Sequence, residues 1–140
     1  MKLSFKFPDL SKEIRKLSAL SPKINEAVED VLLQAGETVQ EDVREGVSMS
    51  NLPAQGKYSK GETMQSIVNP EVLTDGKRYY VPIGFDFSMP GAGGWLITGT
   101  PTMRPDAKLH RIFKEKQYMK KLEQDMIETI QDYIEEELAK

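Results

Sequence analysis

The sequence contains no cysteine, one histidine and one tryptophan among 140 residues. Without cysteine, disulfides, thiolate zinc sites and cysteine nucleophiles are excluded. A single histidine, His110, removes multi-histidine metal sites and leaves one imidazole as a general base. A serine nucleophile would need a Gly-x-Ser-x-Gly elbow, which does not occur, and His110 as its base. Positive charge is also scarce: Lys and Arg number 19 against 22 Asp and Glu, a net charge of −3. That balance argues against a dedicated duplex-DNA binder. No apolar run approaches membrane-spanning length, and the first residues lack the apolar stretch of a signal peptide, so synthesis in the cytoplasm is expected.

What is present reads as one domain over 1–140, with 39% hydrophobic and 29% charged residues, enough for a modest core. Leu3, Phe5 and Phe7 alternate with Lys2, Ser4 and Lys6, the period of a half-buried strand. Pro8 ends it, and Asp9 can cap a short helix carrying Leu10, Ile14 and Leu17. Ser21-Pro22 is a start signal for a long helix reaching about Gly46. Its stripe is Ile24, Ala27, Val28, Val31, Leu32, Ala35, Val39 and Val43, and its flanks are acidic. From 47 to 61 periodicity disappears. Strand-like segments follow at about 64–73, 78–84 and 95–100, with Thr74-Asp75-Gly76 as a hairpin signal. After Pro101 and Pro105 a last helix is expected over 106–138. The pattern predicts an α+β fold: an antiparallel β-meander packed with two long helices and a short N-terminal helix.

The two long connections, 47–61 and 85–94, are rich in Gly, Ser and Pro and are expected to be mobile, with Phe85, Phe87 and Met89 exposed for a partner. Gly91-Ala92-Gly93-Gly94 resembles a phosphate cradle only superficially, because strand-like Trp95-Leu96-Ile97 follows where a helix and a Lys-Ser/Thr end belong. Lys57, Tyr58 and Lys60 mix base and aromatic as single-strand binders do, but three residues are too few to define such a site. Trp95 can anchor either the core or an interface, and burial statistics favour the core. His110, between Lys108 and Arg111, is expected as a solvated surface residue. The acids lie on helix faces, and no pair is singled out for catalysis. No catalytic residue, cofactor or metal ligand is therefore assigned.

The last helix has an unusual charge order. Lys108, Arg111, Lys114, Lys116, Lys120 and Lys121 come first, and Glu123, Asp125, Glu128, Asp132 and Glu135 to Glu137 follow, against the helix dipole. Each half is expected to meet opposite charge elsewhere, either on the acidic face of the 22–46 helix or on a neighbouring subunit.

Three blocks carry a family resemblance. Met1 to Phe7 with the two helices after it, Lys60-Gly61-Glu62-Thr63-Met64-Gln65-Ser66-Ile67, and Gly94-Trp95-Leu96-Ile97-Thr98-Gly99-Thr100 with Met103-Arg104-Pro105 resemble the tail-completion and head–tail joining proteins of long-tailed bacteriophages and prophages, also described as minor tail proteins. The chain departs from that pattern at Thr98, where the family often has glutamate, and at Asp106, where phenylalanine is common. The resemblance implies a non-enzymatic virion assembly protein of the neck or tail. It implies a ring oligomer, commonly a hexamer, whose long loops reorder on docking to neighbouring phage neck or tail proteins, without membrane or sequence-specific nucleic acid. Lys57, Tyr58, Lys60, Phe85, Phe87, Met89, Trp95 and Arg104 are the candidate interface residues. The rival reading is a small prophage binding or regulatory module that contacts a host protein or nucleic acid.

Overall fold

A computed structural model of the chain describes residues 2–4, 22–74 and 79–138, with side chains over 26–74 and 79–136. The expected helix of Leu10, Ile14 and Leu17 and the tip of the Thr74-Asp75-Gly76 turn lie outside the described residues. The architecture is α+β.

The long helix α1 (Pro22–Ser48) is the platform. Val28, Leu32, Ala35, Val39, Val43 and Val47 recur at helical spacing and are all buried, so one stripe carries its contacts. Each fully buried Val or Leu side chain contributes roughly 1.5–3 kcal/mol over an exposed one. The helix does not stop at Gly46. That glycine lets another helix approach, since a Cβ there would lie 2.9 Å from a Leu109 methyl. Val47, expected in a loop, is fully buried. The helix closes just beyond, where the Ser50 hydroxyl donates to the Val47 carbonyl at 2.6 Å.

Among the described residues the β-structure is smaller than the expected meander and is divided into two pairs. Strand β1 (Lys2–Ser4) lies antiparallel to β4 (Pro82–Gly84), with Leu3 opposite Ile83. Strand β2 (Leu73–Thr74) pairs antiparallel with β3 (Tyr79–Tyr80), with Thr74 opposite Tyr79. Helix α2 (Lys60–Gln65) starts in the expected loop and takes the first two positions of the segment expected as a strand over 64–73, of which only Leu73 enters a strand. The Ser59 hydroxyl accepts from the Glu62 N–H at 3.2 Å, and Ser59-Lys60-Gly61-Glu62 has the spacing of a helix-capping box. The segment expected as a strand over 95–100 is instead helical from its start, in α3 (Gly93–Thr98). Gly93, Leu96 and Ile97 are buried while Trp95 and Thr98 are exposed, an i, i+3, i+4 face that no strand could present.

The final helix is also divided. Asp106 caps α4 (Ala107–Lys114) by accepting from the Leu109 N–H at 3.0 Å, and Glu115 is extended before α5 (Lys116–Leu138) begins. Neither Pro nor Gly marks the break, and the two helices on either side of it meet α1 through different contacts. Lys108 pairs with Glu45 at 2.8 Å, and the Tyr118 hydroxyl donates to Asp42 at 2.6 Å. In one straight helix Lys108 and Tyr118 would stand about 15 Å apart, whereas their partners on α1 are separated by about 4.5 Å. The chain therefore packs α4 on the last turns of α1, where Leu109 meets Gly46, and packs α5 on α1 as well, with Met126 and Ile130 buried. Lys108 answers the charge-order expectation in part, since it meets an acid of α1. With Glu45 more than half exposed, that pair contributes at most about 1 kcal/mol.

Tyr118 anchors the turn. Burial, then the hydrogen bond to Asp42, then that carboxylate's charge all push its phenol above the ordinary value. A raised folded-state pKa means that the stability it confers is complete below pH 10 and lost as pH rises beyond. Tyr118→Phe should cost about 0.5–1.5 kcal/mol at neutral pH. It should also flatten the alkaline fall in stability, measured by urea unfolding at a series of pH values. A variant whose alkaline profile matches the parent would show that Tyr118 does not carry this term.

Candidate functional site

The two long connections converge on α3. The Ala92 N–H donates to the buried Thr63 hydroxyl of α2 at 2.9 Å, which ties the end of one connection to the helix that follows the other. Ile67 bridges Phe85, and the Asp86 N–H donates to the Ser66 carbonyl at 2.6 Å. Asp86 then accepts from the backbone and hydroxyl of Ser88, at 3.0 and 2.6 Å, and so holds the turn that carries Phe87 and Met89.

Phe85 corrects the expectation of an exposed group. It is 1% exposed, and its ring lies under α3 and beside Phe113, with ring centres 6.2 Å apart. A Cβ at Gly93 would come within 2.3 Å of that ring, so only glycine lets α3 seat on it. The segment is therefore built into the core at Phe85, and only its tip projects.

Above this support sits an apolar patch. Tyr58 and Trp95 pack with ring centres 4.6 Å apart and planes inclined by 56°, and the Lys57 ammonium lies 5.6 Å from the centre of the Tyr58 ring. Phe87 packs over Gly94, next to Trp95, and Met89 projects from the same turn. Tyr58, Phe87, Met89 and Trp95 are each more than two-fifths exposed, unusual for four such side chains at one location. Trp95 is thus a surface residue and not a core anchor. Its place follows from the helical face above: once Leu96 and Ile97 turn inward, Trp95 must turn outward.

The remaining candidates lie apart from these rings. Lys60 opens α2, where its N–H donates to the Pro53 carbonyl at 2.9 Å. Arg104 is exposed on an adjoining groove of about 340 Å³, lined also by Asn51, Leu52, Leu96 and Met103. His110 is partly buried in α4 rather than solvated, its backbone N–H donating to the Asp106 carbonyl at 2.8 Å. Although α3 follows the glycines where a strand was expected, no Lys-Ser/Thr ends that loop, and α3 has only six residues. Among the described residues, no group of three or more His, Asp or Glu is arranged to hold a metal ion, and no helix is long and apolar enough to cross a membrane. Comparisons with protein-family models, curated proteins and solved structures give no match to this chain.

Neighbouring phenylalanines should behave oppositely. Phe85→Ala should cost about 3–5 kcal/mol by opening a core cavity, and Gly93→Ala about 1–3 kcal/mol by overpacking. Phe87→Ala should stay within about 0.5 kcal/mol. Urea denaturation measures all three, and a Phe87 cost equal to that of Phe85 would contradict the division between core and patch.

Proposed function

We propose that the chain is a structural virion assembly protein of a long-tailed phage or prophage, a ring-forming adaptor at the head–tail joint or tail terminus. The observation that carries this reading is the patch of Tyr58, Phe87, Met89 and Trp95, assembled from two separate connections and left in water. A buried aromatic surface is what makes an interface adhesive, and Trp and Tyr are the residues most enriched at interface hot spots. The resemblance of the Lys60-Gly61 and Gly94 to Pro105 blocks to tail-completion proteins supplies the biological setting. The partners are other copies of the chain and adjacent neck or tail proteins, the protein resides in the virion after synthesis in the host cytoplasm, and no catalysis is assigned to it.

The second reading, a small prophage module that binds a host protein or nucleic acid, draws on one specific feature. Lys57, Tyr58 and Trp95 place a cation and two rings together, the elements of a base-stacking platform. The acidic balance of the chain weighs against it.

In the phage or prophage encoding this chain, an early stop codon should give separate filled heads and tails, or tails of abnormal length, by electron microscopy. Mass spectrometry should find the chain in complete particles, and His110→Ala should leave infectious titre unchanged. Normal infectious particles without the chain would exclude the adaptor reading.

A further inference from the structure

The segments that carry Tyr58 and Trp95 also enclose the groove beside them. One wall is the start of the first connection, Asn51 and Leu52. It is fixed where the Ser50 hydroxyl and backbone N–H both donate to the Val47 carbonyl, at 2.6 and 3.1 Å. The other wall is Leu96 of α3 and the run after that helix, Met103, Arg104 and Pro105. Backbone hydrogen bonds hold this run. Thr100 and Met103 exchange a pair at 2.8 and 3.2 Å, and the Asp106 N–H donates to the Leu96 carbonyl at 2.7 Å. Gly99 makes the turn at a φ of +76°, with the Met103 carbonyl oxygen only 2.8 Å from where a Cβ would stand. The groove holds about 340 Å³, near the lower end of ligand pockets, which span about 300–1,000 Å³. Tyr58 continues the first wall and Trp95 precedes Leu96 on the second, so the walls meet in the ring pair.

The groove is apolar along Leu52, Leu96, Met103 and Pro105 and carries one cation. Arg104 is exposed, and among the described residues its side chain has no ion-pair or hydrogen-bond partner. The Asn51 carboxamide on the facing wall is likewise exposed and unpaired. Asp106 is the acid of the lining, and its carboxylate is committed to the cap of α4, at the positive end of that helix. Lys57 adds a second cation over the Tyr58 ring. A free guanidinium, a free carboxamide and apolar walls complement a carboxylate carried next to an apolar side chain. A phosphate alone would leave the apolar walls unused, and a nucleic-acid track needs a groove lined with positive charge.

We propose that this groove binds a short acidic peptide segment of a partner protein. An Asp or Glu of that segment sets its carboxylate on Arg104, whose planar fork suits two parallel hydrogen bonds. A neighbouring apolar side chain enters between Leu52, Leu96 and Met103, and the Asn51 amide bonds the segment's backbone. The inference rests on the interface role given above to the rings and adds the chemistry of what docks beside them.

The test is a selection of short random peptides on the purified full-length chain. A selected peptide is then titrated beside its amide counterpart, in which Gln or Asn replaces the acid. Fluorescence of Trp95, the only tryptophan, reports binding. Peptides with an acid next to Leu, Ile, Met or Phe should be enriched. The acidic peptide should bind about tenfold tighter than its amide counterpart, the worth of one charge-assisted hydrogen bond. Arg104→Gln should remove that difference and Arg104→Glu should reverse it. Lys120→Glu, the same charge change at an exposed residue outside the groove, should leave both affinities within about twofold. Affinity for the acidic peptide should also fall as salt rises from about 0.05 M to about 0.5 M. Circular dichroism checks each fold, and if Arg104→Glu does not fold, Arg104→Gln carries the test.

Enrichment of peptides without an acid, no enrichment, or a preference that survives Arg104→Gln would overturn the proposal. So would a single-stranded oligonucleotide that displaces the peptide, or a second copy of the chain in the groove, seen as self-association lost in Arg104→Glu. A chain found in phage particles that selects no acidic peptide would sink this site and leave the adaptor reading standing. Selection of acidic peptides by a chain absent from particles would do the reverse.

Discussion

The structure depends on the apolar stripe of α1. A helix of this length cannot bury Val28, Leu32, Val39, Val43 and Val47 against itself, so the rest of the chain must cover it. Strand β4, α4 and α5 share that task, and each takes its position from which part of the stripe it covers. The break at Glu115 follows directly. Lys108 of α4 and Tyr118 of α5 both reach the last turns of α1, which one straight helix carrying both would not allow.

The same constraint places charge. Lys108 meets Glu45 and Tyr118 meets Asp42, so α4 and the first turn of α5 bring their basic residues to the last turns of α1.

The aromatic patch arises from support beneath it. Thr63 bonds the Ala92 backbone, Gly93 lies on the ring of Phe85, and Asp86 holds the turn after it. These contacts bring Tyr58 to Trp95 across 37 positions of sequence and lay Phe87 alongside. The rings are exposed because the helix and turn that bear them spend their apolar partners, Leu96, Ile97 and Phe85, on the core. An interface built on such a base is pre-organised, so less conformational freedom is lost on docking.

Several features were determined by the sequence alone. The stripe of α1 was legible because 3.6-residue periodicity over many turns has no competing explanation, and the antiparallel pairing around the Thr74 turn followed from turn chemistry. The α+β class followed from the same signals. The exposure of Phe87 and Met89 was legible from their setting in an irregular segment, whereas Trp95, favoured for the core, lies on the surface. Only tertiary structure decided the rest. Trp95 to Thr100 is rich in aromatic and β-branched residues, which suit a strand, yet the ring of Phe85 and the cleft beside α4 select a helix that buries Leu96 and Ile97 together. Phe85 and Phe87 have the same chemistry two positions apart, and the bridge from Ile67 to Phe85 sends one inward and leaves the other in water. The break at Glu115 has no local signature in Pro or Gly, and the contacts on either side of it, Lys108 with Glu45 and Tyr118 with Asp42, appear only in the fold. Short segments carry too few residues for periodicity to outweigh their neighbours, and what they become is set by the surfaces that receive them.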